Sequence, residues 1–136
     1  MTPTQFLEAW MENVWNKRST QFIYDHLAQP CSIEGLPEST QNPAGFAAFR
    51  DNLIAAIPDM QVTIEEAVEN GEKVAGVCRV TGTHSASERK VDFCFGYTAQ
   101  VQNDQIVSAR NVVDFLTMLQ QTESISQDSL EKALTS

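Results

Sequence analysis

A tyrosine and an asparagine interrupt two otherwise apolar stripes in the second half of the chain. Along residues 91–102 one side of a strict alternation reads Val91, Phe93, Phe95, Tyr97, Ala99 and Val101, and the other reads Asp92, Cys94, Gly96, Thr98, Gln100 and Gln102. In a strand the two sets point to opposite faces, so the first set faces a core. Along the next segment Val107, Ala109, Asn111 and Val113 form the drier side, against Ile106, Ser108, Arg110, Val112 and Asp114. A phenol or an amide on an inner face must find a hydrogen-bond partner or it costs about 1–3 kcal/mol. Two arrangements meet that demand. Either Tyr97 and Asn111 satisfy each other or a buried water, or they line a cavity and orient an oxygen of a bound molecule. A hairpin turn centred between Ala86 and Ser87 sets Phe95 opposite Cys78 and Tyr97 opposite Gly76. Cys78 then faces inward as well, and Gly76 leaves room beside the phenol.

The remaining reactive types have weaker spacing. Cys31, Cys78 and Cys94 are an odd set with no Cys-x-x-Cys pair, which argues for buried reduced thiols and against a disulfide framework or a zinc knuckle. His26 stands next to Asp25 in a helical stretch and is expected at the surface, and His84 closes a strand, where capping its rim is the expected role. No metal-ligand spacing joins these residues, so no metal is expected.

The elements that must position Tyr97 and Asn111 follow from period and punctuation. Thr2 and Gln5 form a capping box with Pro3 at the first helical position, and Leu7, Trp10, Met11 and Val14 recur at helical spacing, predicting a first helix that ends near Lys17. Trp10 and Met11 would pack in the core or form the helical wall of a cavity. A second helix is predicted from Ser19 or Thr20 until Pro30 stops it, then a short strand from Cys31 to Gly35, then a loop to Gln41. Asn42-Pro43 opens a third helix whose buried face is Phe46, Phe49, Leu53, Ile54 and Ile57, ended by Pro58. From Met60 the period becomes two. Asn70-Gly71, Ser85 to Glu88 and Asn103-Asp104 turn the chain through four consecutive antiparallel strands, the second running from Lys73 to His84. A helix from Phe115 to Gln121 and a polar tail from 122 to 136, with a short helix if Asp128 and Glu131 cap it, complete the chain. Helices first and a meander afterwards predict one α+β domain over residues 1–136, its helices packed on the concave face of a curved antiparallel sheet.

Composition narrows the partners. Nine basic against eighteen acidic residues give a formal charge of -9, which repels a phosphate backbone and argues against nucleic acid. No stretch approaches the ~18 consecutive apolar residues of a membrane span, and the opening residues carry no basic cluster before an apolar run, so neither membrane insertion nor a secretory signal is expected and the cytoplasm is the default address.

The order of these features resembles a known family. The run "IPDMQVTIEEAVENGEKVAGVCRVTGTH", with Trp15-Asn16, Gln105-Ile106-Val107 and the stretch from Asp114 to Gln121 in the same order, is similar to the SnoaL-like polyketide cyclases of the nuclear transport factor 2-like superfamily, over roughly residues 6–121. The resemblance implies a cone-shaped α+β barrel with an apolar cavity, dimeric through the outer sheet face, and cofactor-free chemistry in which an aspartate helped by a histidine removes a proton so that an enolate closes a ring. A carboxylate in an apolar cavity has a raised pKa and can serve as that base. Here Asn111 stands at the position of the aspartate and Tyr97 at that of the histidine, and an amide cannot take the proton. Asp114 and Glu34 are the carboxylates left as candidate bases, with helix capping and a solvated strand position as their respective alternatives. The implied reading is a domain binding a small apolar molecule with a carbonyl or hydroxyl through Asn111, Tyr97, Cys78, Phe95, Phe93, Trp10 and Met11. The alternatives are a cofactor-independent cyclase, isomerase or lyase using Asp114 or Glu34 with Tyr97, and a non-catalytic dimerisation module.

Overall fold

The computed structural model describes residues 1–135. Helix α1 (Pro3–Trp10) starts at the predicted capping box, with both reciprocal bonds of Thr2 and Gln5 in place. It runs directly into a π-helical segment, Met11–Asn16. Beside the widened turns Asn13 Nδ2 donates to the Ala9 carbonyl at 2.8 Å. Such bulges alter which residues share a face, and Trp10, Met11, Val14 and Trp15 are all buried. Helix α2 (Thr20–His26) is capped by Ser19. It ends four residues before Pro30, because strand β1 (Leu27–Glu34) already begins at Leu27. Proline therefore sits inside a strand and does not terminate the helix. It is tolerated because β1 is an edge strand whose register shifts between Leu27 and Ser32. After a 3-10 turn at Glu38–Gln41, α3 (Pro43–Ala56) starts at Asn42, whose side chain accepts from Gly45 N.

Strands β2 (Gln61–Asn70), β3 (Lys73–His84), β4 (Arg89–Gln102) and β5 (Gln105–Val113) form the predicted meander. The sheet order is β1-β5-β4-β3-β2, so it is open at β1 and β2 and is not a closed barrel. It is also mixed. β1 pairs with β5 in parallel, Ile33 against Ala109 and Glu34 against Arg110, with α3 and the strands β2 to β4 lying between them in the chain. The predicted hairpin register holds residue for residue: Phe95 lies opposite Cys78 and Tyr97 opposite Gly76.

Two bulges change the faces. Between Ile64 and Glu66 the extra residue is Glu65, and between Ser108 and Ile106 it is Val107. A bulge shifts the inward-outward phase by one. Ile106, not Val107, therefore points inward and is 4% exposed. On β4 the predicted alternation holds, with Val91, Phe93, Tyr97, Ala99 and Val101 buried.

Two side-chain amides each pair with one residue on a strand edge. Asn16 accepts from Val62 N at 2.9 Å and donates to Val62 O at 3.0 Å, as a neighbouring strand would on β2. β5 stops opposite Phe95, leaving the first half of β4 unpaired on that side. There Gln121 of helix α4 (Phe115–Gln121) accepts from Asp92 N at 2.8 Å and donates to Asp92 O at 2.9 Å. Unpaired edges template aggregation, and each amide occupies one position of such an edge. The tail forms α5 (Ser129–Thr135). No helix among the described residues is long and apolar enough to cross a membrane.

Candidate functional site: an apolar cavity under the first helix

The inner face of the sheet and the helices above it enclose a cavity of about 90 Å³. Its deeper wall combines Trp10, Met11 and Trp15 with Phe93 and Ala99, all buried. Its outer part is ringed by half-buried side chains, Leu36, Phe49, Leu53, Phe95, Val113 and Phe115. Trp10 and Trp15 both meet Phe46 edge-on, at 5.5 and 6.0 Å between ring centroids, a geometry aromatic pairs favour and one that fixes the wall. Among the described residues no carboxylate, histidine or cationic side chain lines the cavity; Tyr97 and Asn111 bring a hydroxyl and an amide to it, and Trp10 and Trp15 carry indole N–H groups.

Tyr97 is 5% exposed, and its hydroxyl is buried without a hydrogen-bond partner. Gly76 makes its position possible: a Cβ there would lie 2.6 Å from the hydroxyl oxygen and 2.2 Å from the Glu66 carbonyl. Burial, with Cys78 and Glu8 nearby, pushes the phenol up to about 12, so it stays protonated and is a donor at neutral pH. Asn111 is directly opposite Tyr97 across β4 and β5, yet their side chains diverge. The phenol lies over Gly76 on β3, while the amide of Asn111 reaches toward β1 and donates to the Glu34 carbonyl at 3.5 Å, the outer limit of a hydrogen bond. The two do not satisfy each other.

The other predicted site residues separate by position. Phe93, Phe95, Trp10 and Met11 line the cavity. Cys78 is fully buried on the inner face behind the lining, and burial raises its thiol to about 12, an inert state. Glu34 does not reach the cavity. Its carboxylate turns to the outer face of the sheet and pairs with Arg110 at 2.7 Å, because the parallel register sets these residues side by side. Asp114 is also outside the lining; it caps α4, accepting from Thr117 N at 3.1 Å and Thr117 Oγ1 at 2.6 Å. His84 meets Ser87 Oγ at 2.7 Å near the β3–β4 turn. His26 is half-buried, not exposed: its ring lies against Phe22 with centroids 4.2 Å apart and the planes tilted by 39°, and its Nδ1 meets the Asp104 carbonyl. Among the described residues no cluster of His, Cys, Asp or Glu could hold a metal ion.

The bonds from Thr117 hold Asp114 below the usual carboxylate range, and those from Thr83 do the same for Asp59, which ties the turn after α3 to the end of β3. A depressed folded-state pKa contributes stability above the unfolded value, and that stability is lost as pH falls through the folded one. Stability is therefore expected to hold steady from neutrality down to about pH 4 and to decline below it. Asp114→Asn should flatten that acid limb in urea titrations at a series of pH values; an unchanged limb would show that the cap carries no linkage.

Sequence reasoning did not find Arg50. It sits on the predicted apolar face of α3 and is 2% exposed, reaching Thr20 Oγ1 at 2.6 Å, Asp51 at 3.0 Å and the Val14 carbonyl at 3.5 Å. Its place two turns before the end of an amphipathic helix was the available signal.

This open five-stranded sheet with helices over one face, enclosing an apolar cavity, is the architecture of the nuclear transport factor 2-like proteins. The SnoaL-like polyketide cyclase family matches residues 5–122, and the chain belongs to that family. Its fold is similar to wild-type IdmH of Streptomyces antibioticus, with a TM-score of 0.80, 22% identity, and coverage of 90% of this chain and 99% of that one. A candidate polyketide cyclase of Bacillus cereus gives a TM-score of 0.78 at 24% identity over 91% of this chain and 80% of its own. A candidate SnoaL-like cyclase of Jannaschia gives 0.77 at 14% identity over 91% and 93%. At these identities the likeness is one of fold. No curated protein sequence matches the chain.

Proposed function

We propose that this chain binds a small, uncharged, apolar molecule carrying a carbonyl or hydroxyl, with the Tyr97 hydroxyl donating to that oxygen. The observation that carries the reading is the unpartnered, buried Tyr97 hydroxyl of a residue that lines a largely apolar cavity. A buried donor without an acceptor costs about 1–3 kcal/mol, and a ligand oxygen removes that cost. The absence of any cationic group from the lining disfavours carboxylate and phosphate ligands. The cavity, at about 90 Å³, is smaller than the roughly 150 Å³ that accepts benzene. Entry of one ring therefore requires the half-buried mouth side chains to give way.

The test is calorimetric titration with 4-methylanisole, one ring with one acceptor. Saturable one-to-one binding is expected, abolished by Ala109→Phe, which fills the cavity beside Asn111. Tyr97→Phe should raise the stability of the unliganded protein by about 1–3 kcal/mol while weakening binding about five- to tenfold, a trade between stability and function. Tyr97→Phe with unchanged stability and unchanged affinity would remove the hydroxyl from the site.

Family membership favours a second reading, cofactor-independent proton transfer with Tyr97 stabilising an enolate oxygen. Since Glu34 and Asp114 lie outside the lining, the base in that reading comes from solvent or from the ligand itself. The outer face of the sheet, where Val68 and Val112 are 71% and 74% exposed, is the surface we assign to pairing of two copies.

A further inference from the structure

We infer that the oxygen the ligand presents to Tyr97 is a hydroxyl, of an alcohol or a phenol, which accepts from the Tyr97 phenol and at the same time donates to the main-chain carbonyl of Glu66. This rests on the binding reading above and narrows it from any oxygen to one that carries a proton. Gly76 lies on the inner face of β3 between Val74 and Cys78, both buried, with Tyr97 opposite it on one side and Ala67 on the other. The point where its Cβ would stand is 2.6 Å from the Tyr97 hydroxyl oxygen and 2.2 Å from the Glu66 carbonyl oxygen. Two oxygens that close to one point are no more than about 5 Å from each other, and a single oxygen making two ordinary hydrogen bonds at the tetrahedral angle joins atoms about 4.5 Å apart. The bulge of β2 at Glu65 falls immediately before this carbonyl, and bulges re-aim the groups beside them.

The two atoms have complementary chemistry. The phenol is a protonated donor whose hydroxyl has no partner in the empty protein, so it is not bonded to the carbonyl beside it. A main-chain carbonyl is only an acceptor, and its two lone pairs let it take a bond in addition to one in the ladder. A ketone or ether oxygen serves the phenol but meets the Glu66 carbonyl lone pair to lone pair. Of the carbonyl and hydroxyl groups that the apolar cavity admits, only the hydroxyl satisfies both. The end of the Tyr97 ring rests on Gly76, its Cζ 2.9 Å from the same point, so the ligand oxygen seats itself by a small tilt of the phenol. That tilt breaks no hydrogen bond, since the hydroxyl makes none. Gly76 is the positioning residue of the pair, because any side chain there would fill the space the two oxygens share.

Three probes test this in one calorimetric series on the full chain. They are 4-methylphenol, whose oxygen accepts and donates; 4-methylanisole, whose oxygen only accepts; and 4-fluorotoluene, close to the phenol in size but without an O–H. The expected order has 4-methylphenol tightest, by about five- to tenfold over 4-methylanisole, since one well-placed hydrogen bond is worth up to about a factor of ten. Transfer from water works against that order, because the ether is the more apolar ligand. Tyr97→Phe should weaken both oxygen ligands yet leave 4-methylphenol in the lead, because the acceptor that tells them apart belongs to the backbone. Gly76→Ala should erase the lead; if that variant does not fold, the order on the unaltered chain and on Tyr97→Phe still carries the test. Binding of 4-methylanisole or 4-fluorotoluene as tight as that of 4-methylphenol would overturn the hydroxyl inference while leaving the apolar site intact. Loss of the lead in Tyr97→Phe would remove Glu66 from it. Absence of saturable binding by all three would overturn the binding reading and this inference with it.

Discussion

Arg50→Ala is expected to lower the free energy of unfolding by about 2–4 kcal/mol, more than any loss of a surface ion pair. The reason lies in what the guanidinium joins. It spans α3, the hydroxyl at the start of α2 and a carbonyl in the π-helical segment, Val14 O. Carbonyls near a helix end lack intrahelical partners and need an outside donor. Removing the side chain opens a hole among Val14, Thr20 and α3 and leaves that carbonyl unsatisfied. The ion pair itself contributes the smaller share, because Asp51 is 65% exposed and water screens it. Arg50→Met, which keeps most of the buried stem, should therefore recover part of the loss but not all of it. Urea unfolding of the three proteins checks both steps. A cost below about 1 kcal/mol for alanine would mean that the π-helical segment holds itself. Because that segment carries Met11 and Trp15, the same variant should loosen the helical wall of the cavity.

The second large effect is expected at Gly35, which follows β1 with φ +84°. A Cβ there would lie 1.8 Å from the Asn111 carbonyl oxygen, a backbone atom that cannot swing away. Gly35→Ala adds left-handed strain of about 1–2 kcal/mol to an overpacking cost of about 1–3 kcal/mol. The displaced loop carries Leu36 at the cavity mouth, so ligand affinity should fall together with stability. Gly71 is the control. Its φ is +63° but nothing lies within 4 Å of its would-be Cβ, so Gly71→Ala should show the conformational cost alone. Thermal unfolding of both variants separates the two contributions, and equal losses would contradict the steric account.

Much of this architecture was legible in local sequence. The capping box at Thr2, the Asn42 cap and the turns at Asn70-Gly71 and Asn103-Asp104 each act over a few residues, and each element they bound formed as expected. The pairing of Tyr97 with Gly76 was legible too, because a short hairpin turn leaves few registers open. The errors have the opposite character. β1 begins at Leu27 because β5, some eighty residues later, offers it a parallel partner, and no local signal at Leu27 reports that. The bulge that turns Ile106 inward and Val107 aside is likewise set by the fit of β5 against β4. Arg50 is buried because three elements converge on it, a condition invisible from α3 alone.

The sequence by itself determined the element types, the meander and the choice of Tyr97 and Asn111 as the polar residues of an apolar face, since these depend on period, capping and turn chemistry acting at short range. Only the tertiary structure decided that the two residues turn apart, that the Tyr97 hydroxyl is left without a partner, and that Glu34 and Asp114 stay outside the cavity. The physical reason is that side-chain direction and pairing depend on neighbours distant in sequence. A glycine on β3 admits the phenol, a carbonyl on β1 draws the amide, and an arginine on β5 holds the carboxylate on the other face of the sheet.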